Sequence, residues 1–156
     1  MNFSEIQKNL LGEWTGSNLL RLSWLTPSDF TSTSRLFVFP AAKGKFLSFT
    51  YTWSHEKVDH EGVILLGWDE KQEIATAGWG DSWHQSNKVM FCQGGIDSDG
   101  AINLRGTYEA PPGPDWGWRI VIAVKSNKEL QIRMYNCRSE GEEDLAVQAD
   151  YKRADS

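Results

Sequence analysis

The stretch LLGEWTGSNLLRLSW, Leu10 to Trp24, changes its hydrophobic period part-way along. Before it, Ser4 can cap a helix, Glu5 sits in the first turn, and Ile6, Leu10 and Leu11 fall near one face. Gly12 ends that short helix. Beyond Gly12, the residues Trp14, Gly16, Asn18, Leu20, Leu22 and Trp24 alternate with Glu13, Thr15, Ser17 and Arg21. A period of two puts the first set on one face and the second on the other, which is the pattern of a half-buried strand.

The same period continues to the end of the chain. Further strands are predicted at Thr31 to Phe39, Lys45 to Trp53, Glu61 to Trp68, Glu73 to Trp83, and Lys88 to Gly94. Ala101 to Glu109, Trp116 to Lys125, Leu130 to Cys137 and Asp144 to Arg153 complete the ten. The connections are short and rich in turn residues, such as PAAKGK, HQSN, DSDG and SEGEED. Asp99-Gly100 signals a tight hairpin, and Pro111, Pro112 and Pro114 mark a longer loop. Short connections make sequence neighbours antiparallel neighbours in space. Ten strands in one twisted sheet curl, and closure removes the two exposed edges. A β-sandwich would need long crossovers that these loops do not provide. The expectation is all-β: a ten-stranded antiparallel up-and-down β-barrel with a short N-terminal helix, in a single domain over residues 1–156.

Composition narrows the partners. The chain has 156 residues and a formal net charge of -5, and its longest basic cluster is Tyr151-Lys152-Arg153, so no nucleic acid is expected as partner. The N-terminus MNFSEIQKNLLGEW lacks the basic and apolar regions of a signal peptide. Apolar runs such as Ile120 to Val124 are too short to cross a bilayer as a helix. A cytoplasmic protein without a membrane partner is the expectation. Cys92 and Cys137 have no CxxC spacing and read as reduced thiols. The eight tryptophans are more than a core of this size needs. Large amphipathic rings suit the wall of a ligand pocket, where an apolar body is useful and a polar edge finds a partner.

The helix running into LLGEWTG and the final strand closing on YKR (Tyr151 to Arg153) give the chain its resemblance. It resembles the calycin superfamily of lipocalins and fatty-acid-binding proteins. By that resemblance Gly12 and Trp14 start the barrel, and Arg153 lies across the Trp14 ring at its closed end. More narrowly, LLGEWTG, GKFLSFTY, GVILLGWDEKQ, GWGDSWH, WRIVIAV and LQIRMYN are similar to the bacterial lipocalin-like family of unknown function 1579. That resemblance implies a fold and carries no activity. The haem-binding nitrobindin type also opens with Gly-x-Trp-x-Gly, and it holds iron through a histidine in a late strand. The last histidine here is His84, so haem is set aside and no cofactor is expected.

The densest chemistry lies in GWGDSWH, Gly78 to His84. If the strand continues through it, Trp79, Asp81 and Trp83 share one face, and Ser82 and His84 share the other. An aspartate between two indoles is a polar handle for orienting a ligand. Ser82 and Asp81 on opposite faces cannot form a relay with His84, which excludes a local hydrolase triad. In SHEKVDHE, His55 and His60 stand five apart in a turn, not four apart on a helix, and read as solvated hairpin residues rather than metal ligands. Arg133 and Tyr135 look like a fatty-acid-binding Arg-x-Tyr pair. The opposite face, Leu130, Ile132 and Met134, is more apolar, so Arg133 is expected outside. Arg119 shares a face with Val121 and Ala123 and is the candidate cation for Asp81 or for an anionic ligand.

The functional expectation is binding of a small, mostly hydrophobic molecule in the barrel. Trp53, Trp79, Trp83 and Trp118 supply apolar area, and Asp81, His84 and Arg119 supply polar contacts. One alternative is an enzyme using Asp81 or His84 for acid–base chemistry of the isomerase or cyclase type. Another is a protein-interaction module, such as a homodimer, using exposed tryptophans. No metal is expected.

Overall fold

The computed structural model describes residues 2–154; residues 1, 155 and 156 of the expected domain lie outside the described residues. A helix α1 (Phe3–Leu10) precedes β1 (Gly12–Arg21), β2 (Asp29–Ala41), β3 (Phe46–His55), β4 (Val58–Asp69) and β5 (Ile74–Asp81). Then follow β6 (Met90–Ile96), β7 (Ile102–Tyr108), β8 (Trp116–Val124), β9 (Glu129–Cys137) and β10 (Glu143–Arg153). Each strand pairs antiparallel with its sequence neighbours, and β1 pairs with β10, so the sheet is a closed ten-stranded barrel.

The helix starts two residues earlier than the sequence suggested. Asn2, rather than Ser4, is the cap: its side chain accepts from Glu5 N at 3.0 Å, and Glu5 Oε2 accepts from Asn2 N at 3.2 Å. Ile6 and Leu10 are wholly buried against the lower barrel. Each contributes about 2 kcal/mol of apolar burial. The β3–β4 connection is also tighter than SHEKVDH suggested. Glu56 and Lys57 take left-handed conformations (φ +50° and +65°), and the strands pair up to His55 and Val58 on either side of them.

Alternation fixes what lies inside. Leu36, Leu47, Phe49, Ile64, Leu66, Ile102, Leu104, Ile120 and Ile122 point inward and are fully buried. These side chains fill the lower and middle barrel, so the hollow expected to run through it is occupied by the protein itself. Leu130, Ile132 and Met134 are buried too, and Arg133 lies outside, where its Nη1 donates to Tyr135 Oη at 2.8 Å.

The floor is sealed by one residue pair. The Arg153 guanidinium carbon stands 4.2 Å from the Trp14 ring centroid. Its nitrogens donate to Leu11 O (2.6 Å), Asn9 O (2.6 Å) and Asn127 O (2.7 Å). Trp14 Nε1 donates to Leu10 O at 2.9 Å. The last carbonyls of α1, left without intrahelical donors, are thereby satisfied by the barrel wall. Gly12 is required here: its φ is +123°, and a Cβ would come within 2.7 Å of Arg153 Nη1.

Replacing Arg153 tests the seal. A lysine keeps the charge and loses the planar fork. Arg153→Lys is expected to destabilise the fold by about 2 kcal/mol, since two charge-assisted hydrogen bonds are lost. The shift in urea midpoint at unchanged slope measures it.

Candidate functional site

Strand β5 brings Ala75, Ala77, Trp79 and Asp81 to the inner face. It ends at Asp81 because the side chain turns the backbone: Asp81 Oδ1 accepts from Trp83 N at 2.9 Å and His84 N at 3.1 Å. Alternation therefore stops at Asp81, which corrects the faces expected for the next residues. Trp83 swings to the rim, where it is 37% exposed, and His84 folds back over Asp81 instead of facing away. The His84 Nδ1 lies 3.2 Å from Asp81 Oδ1, close enough for charge attraction though not aligned for a hydrogen bond.

The other carboxylate oxygen is equally engaged. Asp81 Oδ2 accepts from Tyr51 Oη at 2.7 Å and from Trp53 Nε1 at 3.2 Å. Trp79 Nε1 in turn donates to Tyr51 Oη at 2.9 Å. Burial alone pushes the Asp81 carboxyl upward, but the contacts from His84, from Tyr51 and from the Trp83 backbone outweigh it and bring the pKa down to about 2. The Tyr51 phenol moves the opposite way, well above its usual range, because it is buried and faces the Asp81 carboxylate. It stays a donor.

Gly62 makes the Tyr51 contact sterically feasible. It lies between Tyr51 and Asp81 in the cross-strand row, and a Cβ there would come within 2.0 Å of the Tyr51 ring. The bare backbone lets the phenol reach across β4 to the carboxylate.

Four indoles surround the His84 imidazole. Ring centroids lie at 4.8 Å for Trp83, 5.5 Å for Trp79 and Trp118, and 5.6 Å for Trp53. Trp118 stacks on Trp79 at 5.1 Å with an 8° interplanar angle. Above them a recess of about 320 Å³ opens at the end of the barrel opposite α1. Leu20, Leu22, Trp83, His84, Trp116 and Trp118 line it, with Asn136 among the polar wall groups. Trp118 is only 6% exposed, yet its Nε1–H has no hydrogen-bond partner. At the rim Arg138 pairs with Asp144 (3.2 Å) and Arg21 with Asp29 (2.8 Å), so the charges there are mutually neutralised.

A family match completes the picture: the protein family of unknown function DUF1579 matches residues 5–153. The chain belongs to the DUF1579 family. A crystal structure of Rv2717c from M. tuberculosis is similar in fold, with a TM-score of 0.64 over 97% of this chain and 96% of that one, at 14% identity. No curated protein matches the chain.

Within this DUF1579 barrel the seven candidate residues divide three ways. Trp83, His84 and Trp118 line the recess. Trp53, Trp79 and Asp81 hold His84 and Trp118 in place from their contacts just described. Arg119 is apart from both groups, and its expected pairing with Asp81 is corrected. It stands on the outer wall, where Nε donates to Glu143 Oε2 at 2.7 Å and Nη1 to Asn103 Oδ1 at 2.7 Å. The inner face of β8 is that of Trp118, Ile120 and Ile122. The short-range run Arg119, Val121, Ala123 pointed the other way because Val121 and Ala123 are also buried, in a small outer cluster with Ala101 and Tyr135. His55 is likewise not solvated: its ring packs edge-on against Phe30 (4.9 Å) and Trp83 (5.8 Å). His60 Nδ1 meets Ser82 Oγ at 3.1 Å. Tyr51 and Gly62 went unremarked in the sequence. The alternation Tyr51, Trp53 on β3 was a signal that these two share one face of their strand.

The carboxylate gives a pH test. Asp81 titrates lower in the folded chain (about 2) than its ordinary 3.8, so its stabilising contribution is complete above pH 4 and is lost as pH falls through 2. Asp81→Asn is expected to lower neutral-pH stability by about 2 kcal/mol and to flatten the acid limb of the stability curve. Urea titrations between pH 2 and 7 read both effects.

Proposed function

We propose that this chain is a calycin-type binding barrel that holds a small, mostly apolar molecule in the recess at its open end. The unpartnered Trp118 Nε1–H carries the reading. A buried donor without an acceptor costs about 1–3 kcal/mol, and a ligand oxygen or nitrogen seated in the recess removes that cost. The contact between Gly12, Trp14 and Arg153 supports the kinship to lipocalin-like barrels.

The surroundings indicate the chemistry of the guest. Aromatic and aliphatic walls favour a flat apolar body. The paired rim charges offer no free ion to a charged ligand. The recess is at the lower end of the size range of small-molecule sites, so the occupant is closer to a single- or double-ring compound than to a fatty acid.

Two measurements test this. Native mass spectrometry of the purified protein is expected to show a retained small molecule. Titration with acetophenone, a small aryl ketone, is expected to quench tryptophan fluorescence to saturation. Trp118→Phe keeps the ring and removes the donor, and should weaken acetophenone about 5–20-fold. Ala146 also lines the recess; linear, unsaturable quenching, unchanged by Trp118→Phe and by the filling variant Ala146→Phe, would overturn the reading.

A further inference from the structure

We propose that the recess is also an acid–base site, in which the His84 Nε2 removes a proton from carbon in a neutral, planar substrate. This rests on the recess being a binding site, as argued above. Two things set it apart from passive binding: the histidine is oriented by a carboxylate, and a donor stands ready for negative charge on oxygen.

The orientation follows from Asp81. The Asp81 carboxylate is held by Tyr51, Trp53 and the backbone amides of Trp83 and His84. It faces the Nδ1 side of the imidazole. A fixed negative charge there places the ring proton on Nδ1 and leaves the lone pair of the neutral ring on Nε2. Nε2 makes no hydrogen bond within the described residues, and the ring lines the recess. Asp81 is thus a positioning residue, and His84 is the group that meets the substrate. The four indoles packed around the imidazole lower the polarity of its surroundings and strengthen electrostatic effects inside the site.

Trp118 is the second component. An indole N–H donates and cannot accept. Unpaired and shielded from solvent in the wall of the recess, it gains most when a substrate oxygen that reaches it becomes negative, which favours the transition state over the ground state. No activated nucleophile competes with this chemistry in the turn. Ser82 Oγ accepts from Glu61 N at 3.0 Å and contacts His60, away from His84.

The substrate class is a neutral carbonyl compound with an acidic C–H beside the carbonyl. The proton passes to Nε2. The C–H electron pair becomes a C=C π bond while the carbonyl π pair moves to oxygen, beside the Trp118 N–H. In a β,γ-unsaturated member of this class the anion is a dienolate, and the imidazolium returns the proton to its γ-carbon as the double bond moves into conjugation with the carbonyl. The net reaction is an isomerisation, with no oxidant, reductant or second substrate.

The probe is 5-nitrobenzisoxazole, which is planar and neutral and reports a base by its ring opening. Its C–H proton goes to Nε2, the C–H pair forms the nitrile, and the N–O bond breaks toward a coloured phenolate. The wild-type chain is expected to open it with saturation kinetics. His84→Gln should reduce kcat at least about 100-fold, the usual contribution of a positioned base. Asp81→Asn should lower kcat with little change in KM, and Trp118→Phe should lower kcat about 10-fold. Added imidazole should restore turnover in His84→Gly, a recovery that a purely structural role does not predict. Near-UV circular dichroism establishes that each variant is folded. Saturable binding of the probe with turnover no greater than that of His84→Gln overturns the acid–base assignment and leaves the binding site standing. Neither binding nor turnover counts against both.

Discussion

A sheet that closes on itself must tilt its strands, and that tilt ties the floor of this barrel to its mouth. Cross-strand partners run in one row from Arg153 to Trp14, Leu36, Tyr51, Gly62 and finally Asp81. The row begins at the seal beneath α1 and ends at the last residue of β5, at the open end. It climbs because each neighbour is displaced along the tilted sheet. The register that seats the Arg153 guanidinium on Trp14 is therefore the register that brings Tyr51 under Asp81. A one-residue slip anywhere along it would reverse the faces and point the carboxylate outward.

Placing a carboxylate inside an apolar barrel is unfavourable unless its lone pairs are used. Here they are used by groups from separate segments: Tyr51 and Trp53 on β3, and the turn after β5. The same aspartate ends the strand, shapes the turn and orients the histidine that the turn delivers. The arrangement couples local backbone geometry to side-chain chemistry. The aromatic excess has the same origin: Trp53, Trp79, Trp83 and Trp118 are the packing around one imidazole.

Most of the architecture could be read from the sequence because it is periodic. Alternation from Trp14 onward, with turn residues between the runs, leaves few alternatives to a closed meander. The paired Gly12, Trp14 and Arg153 were legible through a resemblance. Errors fell where periodicity ends. Trp83 and His84 could not be placed by alternation because an Asp81 side-chain turn replaces the strand there. Arg119 was misplaced because β8 is buried on both faces over Val121 and Ala123, so its pattern does not distinguish inside from outside. His55 read as solvated because the hairpin looked longer than it is. Tyr51 and Gly62 depend on cross-strand register, which a linear reading sees only once both hairpin turns are fixed.

The contrast between the two ends of the barrel follows from what each must do. The lower end packs aliphatic side chains to full burial under a helix, and its polar ends are satisfied by Arg153 and Trp14. The upper end departs from those rules together: an ionised aspartate is buried, an indole N–H is unpaired, and a recess stays open above them. Local violations of packing and polar satisfaction tend to persist where function requires them, because the rest of the fold supplies enough stability to hold them. Their convergence on His84 is the reason the proposed site is placed at the mouth of this barrel rather than in its lumen.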